Sequence, residues 1–465
     1  METTLVNDIH SQLNPTNVKE VVSVESLDEL REVAKTASVN GAVLCIAGGR
    51  HSMGSQQFAT DGILIDMSKM NRVLNFDSSQ GLIEVEAGIQ WPKFVDYYLD
   101  LQKNQDKQWG IAQKQTGADN FSIGGTISSN SHGRGLKMKP IIENIESLVI
   151  LNHKNELIKC SRDENGDLFR LVVGGYGLFG VVVSVTLRLV PRQKIQCVVE
   201  IIDIESLHFL FEQRITAGHT YGDFQFAIDE NNNNFLRKGV FSTYKPVNNN
   251  AEIIENKKEL SKDDWNNLVL LAHTDKSRAF ELYAKHYLST SGQIYWSDAH
   301  QLSIYLDNYH DFVNEKFDSR EKGTEIITEI YVPRNALLPF IEKVREYFRA
   351  NKINLIYGTI RLIQKDDESF LAWAKESWVC IVFNLHTRHT SERIEHSAKA
   401  FRYLIDLSIN FGGSYSLTYH KFATKRQVEN CYPQFQKFLE LKKQYDPKEI
   451  FQSDWYRHYK KLFFQ

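Results

Sequence analysis

The sequence predicts an α+β protein built from two or three domains. The chain has 465 residues, 42% of them hydrophobic, which is more than one hydrophobic core normally contains. Short apolar strands alternate with helices over the first 190 residues. After Pro191, longer amphipathic stretches alternate with strand-like runs, a pattern typical of helices packed on an antiparallel sheet.

Strand and helix patterns follow in order through the first part of the chain. A Ser-x-x-Glu pattern from Ser26 to Glu29 predicts a capping box that begins the first helix, and the Asn40-Gly41 pair predicts its end. The run before Pro191 is almost continuously apolar and predicts a buried strand. We predict strands at 20–24, 43–47, 63–66, 72–76, 81–86, 142–151, 156–160 and 181–190, and helices at 27–37 and 91–101.

The second part of the chain has a different character. Glycine-rich loops disappear after Pro191, which makes the region near residue 190 the best single domain boundary. The predicted strands and helices alternate, which indicates an α+β domain with an antiparallel sheet. We predict helices at 205–216, 265–272 and 337–349, and strands at 325–332, 355–362 and 379–385.

The composition excludes several classes of protein. The 55 basic and 58 acidic residues give a net charge of -3, with no charge run that would bind nucleic acid or anionic lipid. No apolar stretch reaches about 18 residues, and the N-terminus lacks the pattern of a secretory signal. We therefore expect a cytoplasmic protein with no nucleic-acid partner and no integral membrane segment. The sequence does not predict an oligomeric state.

Cysteine and histidine spacings give no metal or disulfide signature. The five cysteines are scattered and odd in number, and none forms a CxxC pair. The fifteen histidines show no HxH or HExxH spacing, which are common ligand patterns. We therefore expect reduced thiols and no metal centre. Ser131 and His132 are adjacent, which does not suit a hydrolase triad.

Three glycine-bearing loops stand out as candidate ligand sites. They span residues 47–54, 116–135 and 174–180. Glycines let backbone N–H groups approach a phosphate closely, and the second loop has too little apolar surface to form a core. The third contains a formal GxGxxG motif, but it follows a helical pattern and opens a strand. A dinucleotide fingerprint has the reverse order, so we interpret it as a helix-to-strand turn.

Taken in order, the three loops resemble the FAD-binding domain of the vanillyl-alcohol oxidase family, also called the PCMH-type flavoprotein fold. The matching motifs are GGRHSMG, then TGADNFSIGGTISSNSHGRG, then GGYGLFGVVVSVTLRLVP. Near the C-terminus, YHKF and YDPKEIFQSDW look like the closing segment of sugar-acting members, which include alditol, aldonolactone and decaprenylphosphoryl-ribose oxidases. The resemblance covers residues 20–190 and 410–460 well and the middle only in patches.

The resemblance implies a PCMH-type domain of two α/β subdomains that hold an extended FAD, with a cap domain over the flavin ring. It divides the chain into the FAD domain at 1–190, the cap at 191–418 and a segment at 419–465 that returns to the FAD domain. Backbone amides of residues 48–52 would cradle the pyrophosphate. The implied cofactor-binding residues are Gly48, Gly49, Arg50, His51, Ser52, Gly117, Ala118, Ser122, Gly124, Gly125, Thr126, Ser128, His132, Gly133, Gly177, Gly180, Val182 and Asp454.

His51 is the most specific of these residues. An isolated histidine in a loop is usually exposed and without special function, but His51 occupies the position where many family members link a histidine nitrogen to the flavin 8α-methyl group. A neutral imidazole is a competent nucleophile for that reaction. Relatives with a second link use a cysteine where this chain has Ala118. The resemblance therefore implies one covalent bond, at His51. For His132 we favour a loop hydrogen-bonding role over direct catalysis.

The resemblance also implies catalytic residues in the cap and in the closing segment. Arg361 looks like the arginine of the Glu-Ile-Arg strand of alditol oxidase, although Thr359 replaces its carboxylate. His420 or Lys421 would serve as a base or lower the pKa of the substrate alcohol. Glu325 and Glu329 share one face of their strand by its period of two. They are either substrate carboxylates or a solvated strand edge, and for Glu325 we favour the edge.

The implied activity is oxidation of a CH–OH group in a sugar, polyol, aldonolactone or related small molecule by hydride transfer to flavin N5. Dioxygen or another acceptor would reoxidise the flavin, and the small Gly124 and Gly125 would leave room for dioxygen. One alternative is the oxidative half of an epimerase acting on a lipid-linked sugar, which an apolar groove in the cap would favour. Another is a flavin-carrying binding protein without catalysis, whose flavin no hydroxylated compound would reduce.

Overall fold

A computed structural model describes residues 3–254, 257–302, 309–317 and 321–465 of the chain. Helices and largely antiparallel sheets occupy separate layers, which confirms the predicted α+β class. Within the described residues, no helix is long and apolar enough to cross a membrane.

The strands are numbered in chain order. They are β1 Thr4–Val6, β2 Thr16–Val18, β3 Glu20–Ser23, β4 Leu44–Ala47, β5 Ile63–Asp66, β6 Val73–Asp77, β7 Leu82–Glu86, β8 Trp109–Gly110, β9 Ile145–Leu151, β10 Leu157–Ser161, β11 Val181–Arg188, β12 Val190–Pro191, β13 Lys194–Asp203, β14 Tyr221–Phe226, β15 Lys238–Val247, β16 Ile294–Trp296, β17 Gly323–Pro333, β18 Leu355–Ile363, β19 Trp378–Arg388 and β20 Ser414–Tyr415.

The helices are numbered in the same way. They are α1 Leu27–Asn40, α2 Trp91–Gln102, α3 Ile123–Ser128, α4 Gly166–Val172, α5 Leu207–Thr216, α6 Lys262–Thr274, α7 Lys276–Thr290, α8 Ser297–Gln301, α9 Tyr309–Lys316, α10 Leu337–Ala350, α11 Ser391–Asn410, α12 Lys425–Cys431, α13 Phe435–Tyr445 and α14 Asp454–Phe464.

A small parallel sheet opens the fold, with strands in the order β3, β5, β4. Helix α1 connects β3 to β4 as the predicted βαβ unit requires. Ser26 accepts a hydrogen bond from the N–H of Glu29 at the start of the helix, but the Glu29 carboxylate accepts from Glu25 instead of Ser26. Gly41 ends the helix in the left-handed conformation, with φ of 64°, which glycine adopts without strain.

A second sheet of five antiparallel strands follows, in the order β10, β9, β11, β7, β6. The predicted buried strand is β11, at the centre of this sheet. The predicted strand at 142–151 is shorter than expected, because residues 141–144 form a turn of 3-10 helix after Pro140. The GxGxxG segment lies between α4 and β11, which confirms a helix-to-strand turn.

The C-terminal segment contacts the first sheet through the backbone. The N–H of Leu44 donates to the carbonyl of Ile450 at 2.7 Å, and the N–H of Gln452 donates to the carbonyl of Leu44 at 2.9 Å. Phe451 thereby forms a parallel bridge with Leu44 and is buried in the same apolar core as Ile65. Residues near 450 therefore extend the sheet that carries the first glycine loop.

The middle of the chain forms an eight-stranded sheet in the order β16, β13, β15, β14, β18, β19, β17, β20. All of its pairings are antiparallel, as predicted for the second domain. Helices α10 and α11 pack against β17, and α11 also packs against β19. Because α10 and α11 occupy one side of these strands, side chains on the other side are free to face the loops of the first 190 residues.

Candidate active site

A cavity lies where the glycine loops meet the eight-stranded sheet. It receives residues from β4, from the loops after β4 and before β11, from α3, and from β17 and β18. Fifteen of the predicted cofactor-binding residues line it: Gly48, Gly49, Arg50, His51, Ser52, Gly117, Ser122, Gly124, Gly125, Thr126, Ser128, His132, Gly177, Gly180 and Val182. The structure thus assembles segments more than 300 positions apart in the sequence around one space.

Three predicted cofactor-binding residues do not line this cavity. Ala118 is fully buried, and its carbonyl accepts a hydrogen bond from the ammonium of Lys114 at 3.0 Å. Gly133 is packed so closely that an added Cβ would lie 2.6 Å from the carbonyl oxygen of Lys114. Asp454 instead accepts hydrogen bonds from the backbone N–H and hydroxyl of Thr60. Each of these residues supports a loop or a helix end near the cavity and does not face it.

The first two glycine loops pack directly against each other. A Cβ on Gly48 would lie 2.0 Å from Oγ of Ser122, and a Cβ on Gly49 would lie 2.2 Å from the carbonyl oxygen of Asn120. No other residue fits either position without movement of the neighbouring loop. Ser122 also caps α3 by accepting a hydrogen bond from the N–H of Gly125. Because the two loops lie so close together, their backbone groups and the N-terminal end of α3 face the same cavity.

His51 faces the cavity from the first loop and is held by aromatic neighbours. Its Nδ1 lies 3.1 Å from Nε2 of His10, and its ring lies 4.1 Å from that of Phe121, between centroids. Burial, together with the charge that His10 can carry, lowers the pKa of His51 from 6.5 to about 3. The imidazole is therefore neutral at physiological pH.

An ionised carboxylate marks the other end of the cavity. Glu329 on β17 is 6% exposed, and its two oxygens accept hydrogen bonds from Tyr419 at 2.9 Å and from Tyr331 at 2.8 Å. Nε2 of His132 lies 3.3 Å from the same carboxylate. Burial alone would raise the pKa of Glu329, but the charge and hydrogen bond of His132, the charge of Arg361 and the hydrogen bond from Tyr331 lower it to about 2.

His132 is placed between two acceptor oxygens. Its Nδ1 lies 2.9 Å from the carbonyl oxygen of Gly133, and its Nε2 faces the Glu329 carboxylate. A doubly protonated imidazole satisfies both contacts with its two N–H groups. The arrangement includes the loop hydrogen bond predicted for His132 and adds a contact to the cap that sequence analysis did not predict.

The register of the cap sheet explains why these groups meet. Tyr331 pairs with Cys380, and Cys380 pairs with Arg361 on the next strand, so the three residues form one row across β17, β19 and β18. Glu329 lies two residues before Tyr331 and therefore points to the same face. Because β11 and the glycine loops lie opposite, Glu329, Tyr331 and Arg361 form the cap side of the cavity.

Arg361 contributes a buried positive charge to this row. It is 7% exposed, and its Nε has no hydrogen-bond partner among the described residues. Although burial opposes the charge, the surrounding groups, chiefly Tyr357 and Asp223, raise the pKa of Arg361 above its ordinary value. The guanidinium is therefore fixed at the cavity wall and retains donor capacity for a ligand.

The other two predicted catalytic residues lie outside the cavity. His420 is 2% exposed; its ring stacks on Phe401 and its Nε2 contacts the hydroxyl of Thr328. Lys421 reaches away from the cap sheet, and its ammonium lies 3.0 Å from Oγ of Ser55. Neither side chain can contact a substrate held beside Glu329. The tyrosine immediately before them, Tyr419, is the residue that lines the cavity.

The position of Glu325 in the structure differs from the one predicted from the sequence. Glu325 was predicted to lie at a solvated strand edge, but it is only 3% exposed, because His273 of α6 and His310 of α9 cover its side chain. Three histidines surround its carboxylate, and it does not line the cavity.

Several cavity residues were not predicted from the sequence. They are polar or aromatic side chains, most of which lie within or near a predicted loop: Gln56, Gln57, Gln115, Thr116, Tyr176, Tyr331, Trp373 and Tyr419. The position of Gln56 and Gln57 directly after the first glycine loop could have indicated them. Tyr331 and Trp373 carry no local motif, since only the pairing of distant strands brings them to the site.

The cavity fits a large polar ligand such as FAD. Four buried polar atoms that belong to cavity residues have no hydrogen-bond partner among the described residues: Oε1 of Gln57, Nε2 of Gln115, Oγ1 of Thr116 and Nε of Arg361. A buried unpaired polar atom costs about 1–3 kcal/mol, so several around one space indicate a ligand that pairs with them. The glycine contacts at the other end leave backbone N–H groups for phosphate oxygens.

Comparison with known proteins identifies both parts of the chain. Residues 18–161 match the model of an FAD binding domain, and residues 185–459 match the D-arabinono-1,4-lactone oxidase model. The chain is 34% identical over 172 residues to L-gulonolactone oxidase of Bos taurus, which covers 37% of each chain. It is 30% identical over 187 residues to D-arabinono-1,4-lactone oxidase of Yarrowia lipolytica, covering 39% of this chain and 34% of that protein.

The matches differ in their extent. The chain matches only about a third of the length of the bovine and yeast proteins. It is also 22% identical to L-gulono-1,4-lactone dehydrogenase of Mycobacterium tuberculosis over 447 residues, which covers 94% of this chain and 95% of that protein.

Proposed function

We propose that this protein, which belongs to the D-arabinono-1,4-lactone oxidase family, is an FAD-dependent oxidoreductase that oxidises a CH–OH group of an aldonolactone or a related sugar. The observation that carries this proposal is the cavity itself, with an FAD-binding domain on one side and Glu329 and Arg361 on the other. Dioxygen or another acceptor takes up the electrons in turn.

The first two glycine loops would hold the cofactor. Backbone N–H groups near Gly48 and the start of α3 suit phosphate oxygens, and the neutral imidazole of His51 is a competent nucleophile for a covalent bond to the flavin. His10 and Phe121 orient the ring, so that its approach is fixed before any bond forms. We propose a single histidyl link at His51, because Ala118 offers no second nucleophile.

FAD, when bound, supplies the oxidant that accepts hydride from the carbinol carbon. The chain's own residues hold the substrate and stabilise charge. Arg361 places a permanent positive charge at the cavity wall, where it stabilises negative charge that develops during the reaction. Trp373 and Tyr331, whose rings stack 4.8 Å apart between centroids, close the cap side and exclude water.

Glu329 would bind the reacting hydroxyl. Its Oε1 accepts one hydrogen bond among the described residues, from Tyr419, and so retains a lone pair for a substrate O–H. Its low pKa keeps it charged and makes it a weak base, so it holds and orients the hydroxyl. It accepts the hydroxyl proton only as the hydride leaves, when the developing carbonyl makes that proton strongly acidic, and the proton then passes to solvent. Glu329 thereby supplies, from β17 two strands away, the carboxylate that Thr359 lacks.

The proposal is tested by turnover with D-arabinono-1,4-lactone and L-gulono-1,4-lactone, using dioxygen and an artificial electron acceptor in parallel. We expect oxidation of at least one lactone, and a loss of kcat/KM of about 100-fold or more in Arg361→Met, since a preorganised donor contributes about 2.7–4 kcal/mol to the transition state. Bound flavin is quantified in each sample.

Glu346→Gln serves as the matched control, because Glu346 lies on the exposed face of α10, where it forms an ion pair with Lys343. It should retain wild-type kinetics. A flavin-loaded wild-type protein that oxidises no lactone, aldose or polyol with either acceptor would contradict the proposed activity.

A further inference from the structure

A cluster of imidazoles surrounds one buried carboxylate in the cap, outside the cavity. Glu325 lies on β17 and pairs with His386 on β19, while His273 comes from α6 and His310 from α9. The side chains of Glu325, His273 and His310 are at most 5% exposed, and that of His386 is 11% exposed. Four elements thus direct polar side chains to one point in an interior where such groups require partners.

The atoms of this cluster approach one another more closely than their hydrogen bonding explains. Nδ1 of His386 lies 3.1 Å and Nε2 of His273 lies 3.4 Å from Oε1 of Glu325. Nδ1 of His310 lies 2.6 Å from the other oxygen, Oε2. Yet Nε2 of His273, both ring nitrogens of His310 and Oε2 of Glu325 have no partner in hydrogen-bond geometry among the described residues.

We propose that His273, His386 and Glu325 bind a divalent transition-metal ion of the zinc type. Their three donor atoms lie within 4.8 Å of one another. Zinc binds imidazole nitrogen and carboxylate oxygen at about 2.0–2.2 Å in tetrahedral geometry, which places neighbouring ligand atoms about 3.3 Å apart. The distances of 3.1 and 3.4 Å to Oε1 match that separation.

His310 has a different part in the site. Because it approaches Oε2, it fixes the orientation of the carboxylate whose other oxygen faces the ion. Such outer contacts are typical of metal sites and set the direction of the ligand. A water molecule completes the coordination, as in other sites with two histidines and one carboxylate.

Two histidines, one carboxylate and a water are also the ligand set of catalytic zinc sites, but the burial of these ligands and their place outside the cavity indicate a structural role here. An ion held there joins α6 to the two longest strands of the cap sheet, and it neutralises the carboxylate that β17 carries into the interior. His386 also lines an open cleft at the surface, together with Asn354 and Thr387, which gives the ion a path of entry. The ligands come from three segments separated by at least 50 residues, so no local spacing reveals them.

The test uses untagged holoenzyme purified without chelators, in which zinc is measured by mass spectrometry of the digested protein. We expect about one zinc ion per chain. After removal of the metal, addition of Co(II) should give visible absorption bands at wavelengths longer than those of flavin, with the intensity of a tetrahedral site. Because both measurements use the wild-type chain, they do not depend on a variant that folds poorly.

Variants then assign the ligands. Glu325→Gln and His386→Ala should each lower the zinc content at least tenfold and abolish the cobalt bands. His396→Ala is the matched control, since His396 lines the same cleft but bonds to the carbonyl oxygen of Asn351; it should bind metal like the wild type. Wild-type protein that neither contains zinc nor takes up Co(II), or variants that bind both as the wild type does, would overturn the proposal.

Discussion

Replacing Glu329 with glutamine removes the negative charge at the cap end of the cavity while it keeps the size of the side chain. The environment of Glu329 lowers its pKa from 4.5 to about 2. Since one pKa unit corresponds to about 1.4 kcal/mol, the neighbours favour the charged form by about 3 kcal/mol. A neutral amide loses that stabilisation. The positive charges of Arg361 and His132 then have no carboxylate beside them to offset them.

We expect Glu329→Gln to lower kcat/KM for the oxidised lactone by about 100- to 1000-fold. The range follows because loss of one preorganised polar group costs about 100- to 1000-fold in comparable sites. The folded protein should also lose stability relative to wild type at neutral pH. Because the pKa of Glu329 is lowered on folding, this difference should shrink as the pH falls from about 4.5 towards 2.

The assay is steady-state turnover normalised to bound flavin, with denaturant unfolding of the same preparations at neutral and acidic pH. Tyr419→Phe removes one donor to Glu329 and keeps the charge, so its loss of kcat/KM should be smaller. If Glu329→Gln retained wild-type kcat/KM with full flavin content, Glu329 would not bind the reacting group and the proposed substrate orientation would be refuted.

Three further outcomes test the cofactor end of the cavity. In His51→Ala, flavin should move to the supernatant on acid precipitation, whereas wild-type flavin should stay in the pellet; flavin in the pellet of both proteins would place the link elsewhere. Gly48→Ala should reduce bound FAD at least tenfold, because its Cβ would lie 2.0 Å from Oγ of Ser122, while Gly166→Ala, with nothing closer than 3.8 Å, should load FAD normally. Truncation after residue 420 should abolish flavin retention, because residues near 450 bond to the strand that carries the first glycine loop; full flavin content in the truncated protein would show that the return segment is dispensable.

Local sequence patterns predicted the first 190 residues well, because strands, caps and glycine turns there are encoded within a few positions. Gly41 ends α1, and the GxGxxG segment connects α4 to β11, as their local contexts indicate. Helix α11 was not predicted, although Thr390 caps it and Phe401, Leu404 and Ile405 form a buried stripe. The apolar residues of α11 recur at ordinary helical spacing, so the pattern that predicts this helix was present in the sequence.

The cap end of the site required tertiary information. Tyr419 and His420 are adjacent, but their side chains point to opposite sides of the segment, and the cavity lies on the Tyr419 side. Likewise, the carboxylate near Arg361 is that of Glu329 on β17. On the strand of Arg361 itself, the position where a carboxylate was expected holds Thr359. Sequence motifs identify the segments that form the cap end of the site, but the pairing of β17, β18 and β19 decides which of their residues face the cavity.

Anaerobic mixing of the flavin-loaded protein with an aldonolactone tests the central claim most directly. Without any acceptor, a CH–OH donor that binds beside Glu329 and Arg361 should bleach the visible absorption of the oxidised flavin by one equivalent per chain, and the lactone should lose one pair of hydrogens. The bleaching should be at least 100-fold slower in Arg361→Met. Flavin that stays oxidised across a broad panel of lactones, sugars and polyols, although a chemical reductant bleaches it, would contradict the proposed function.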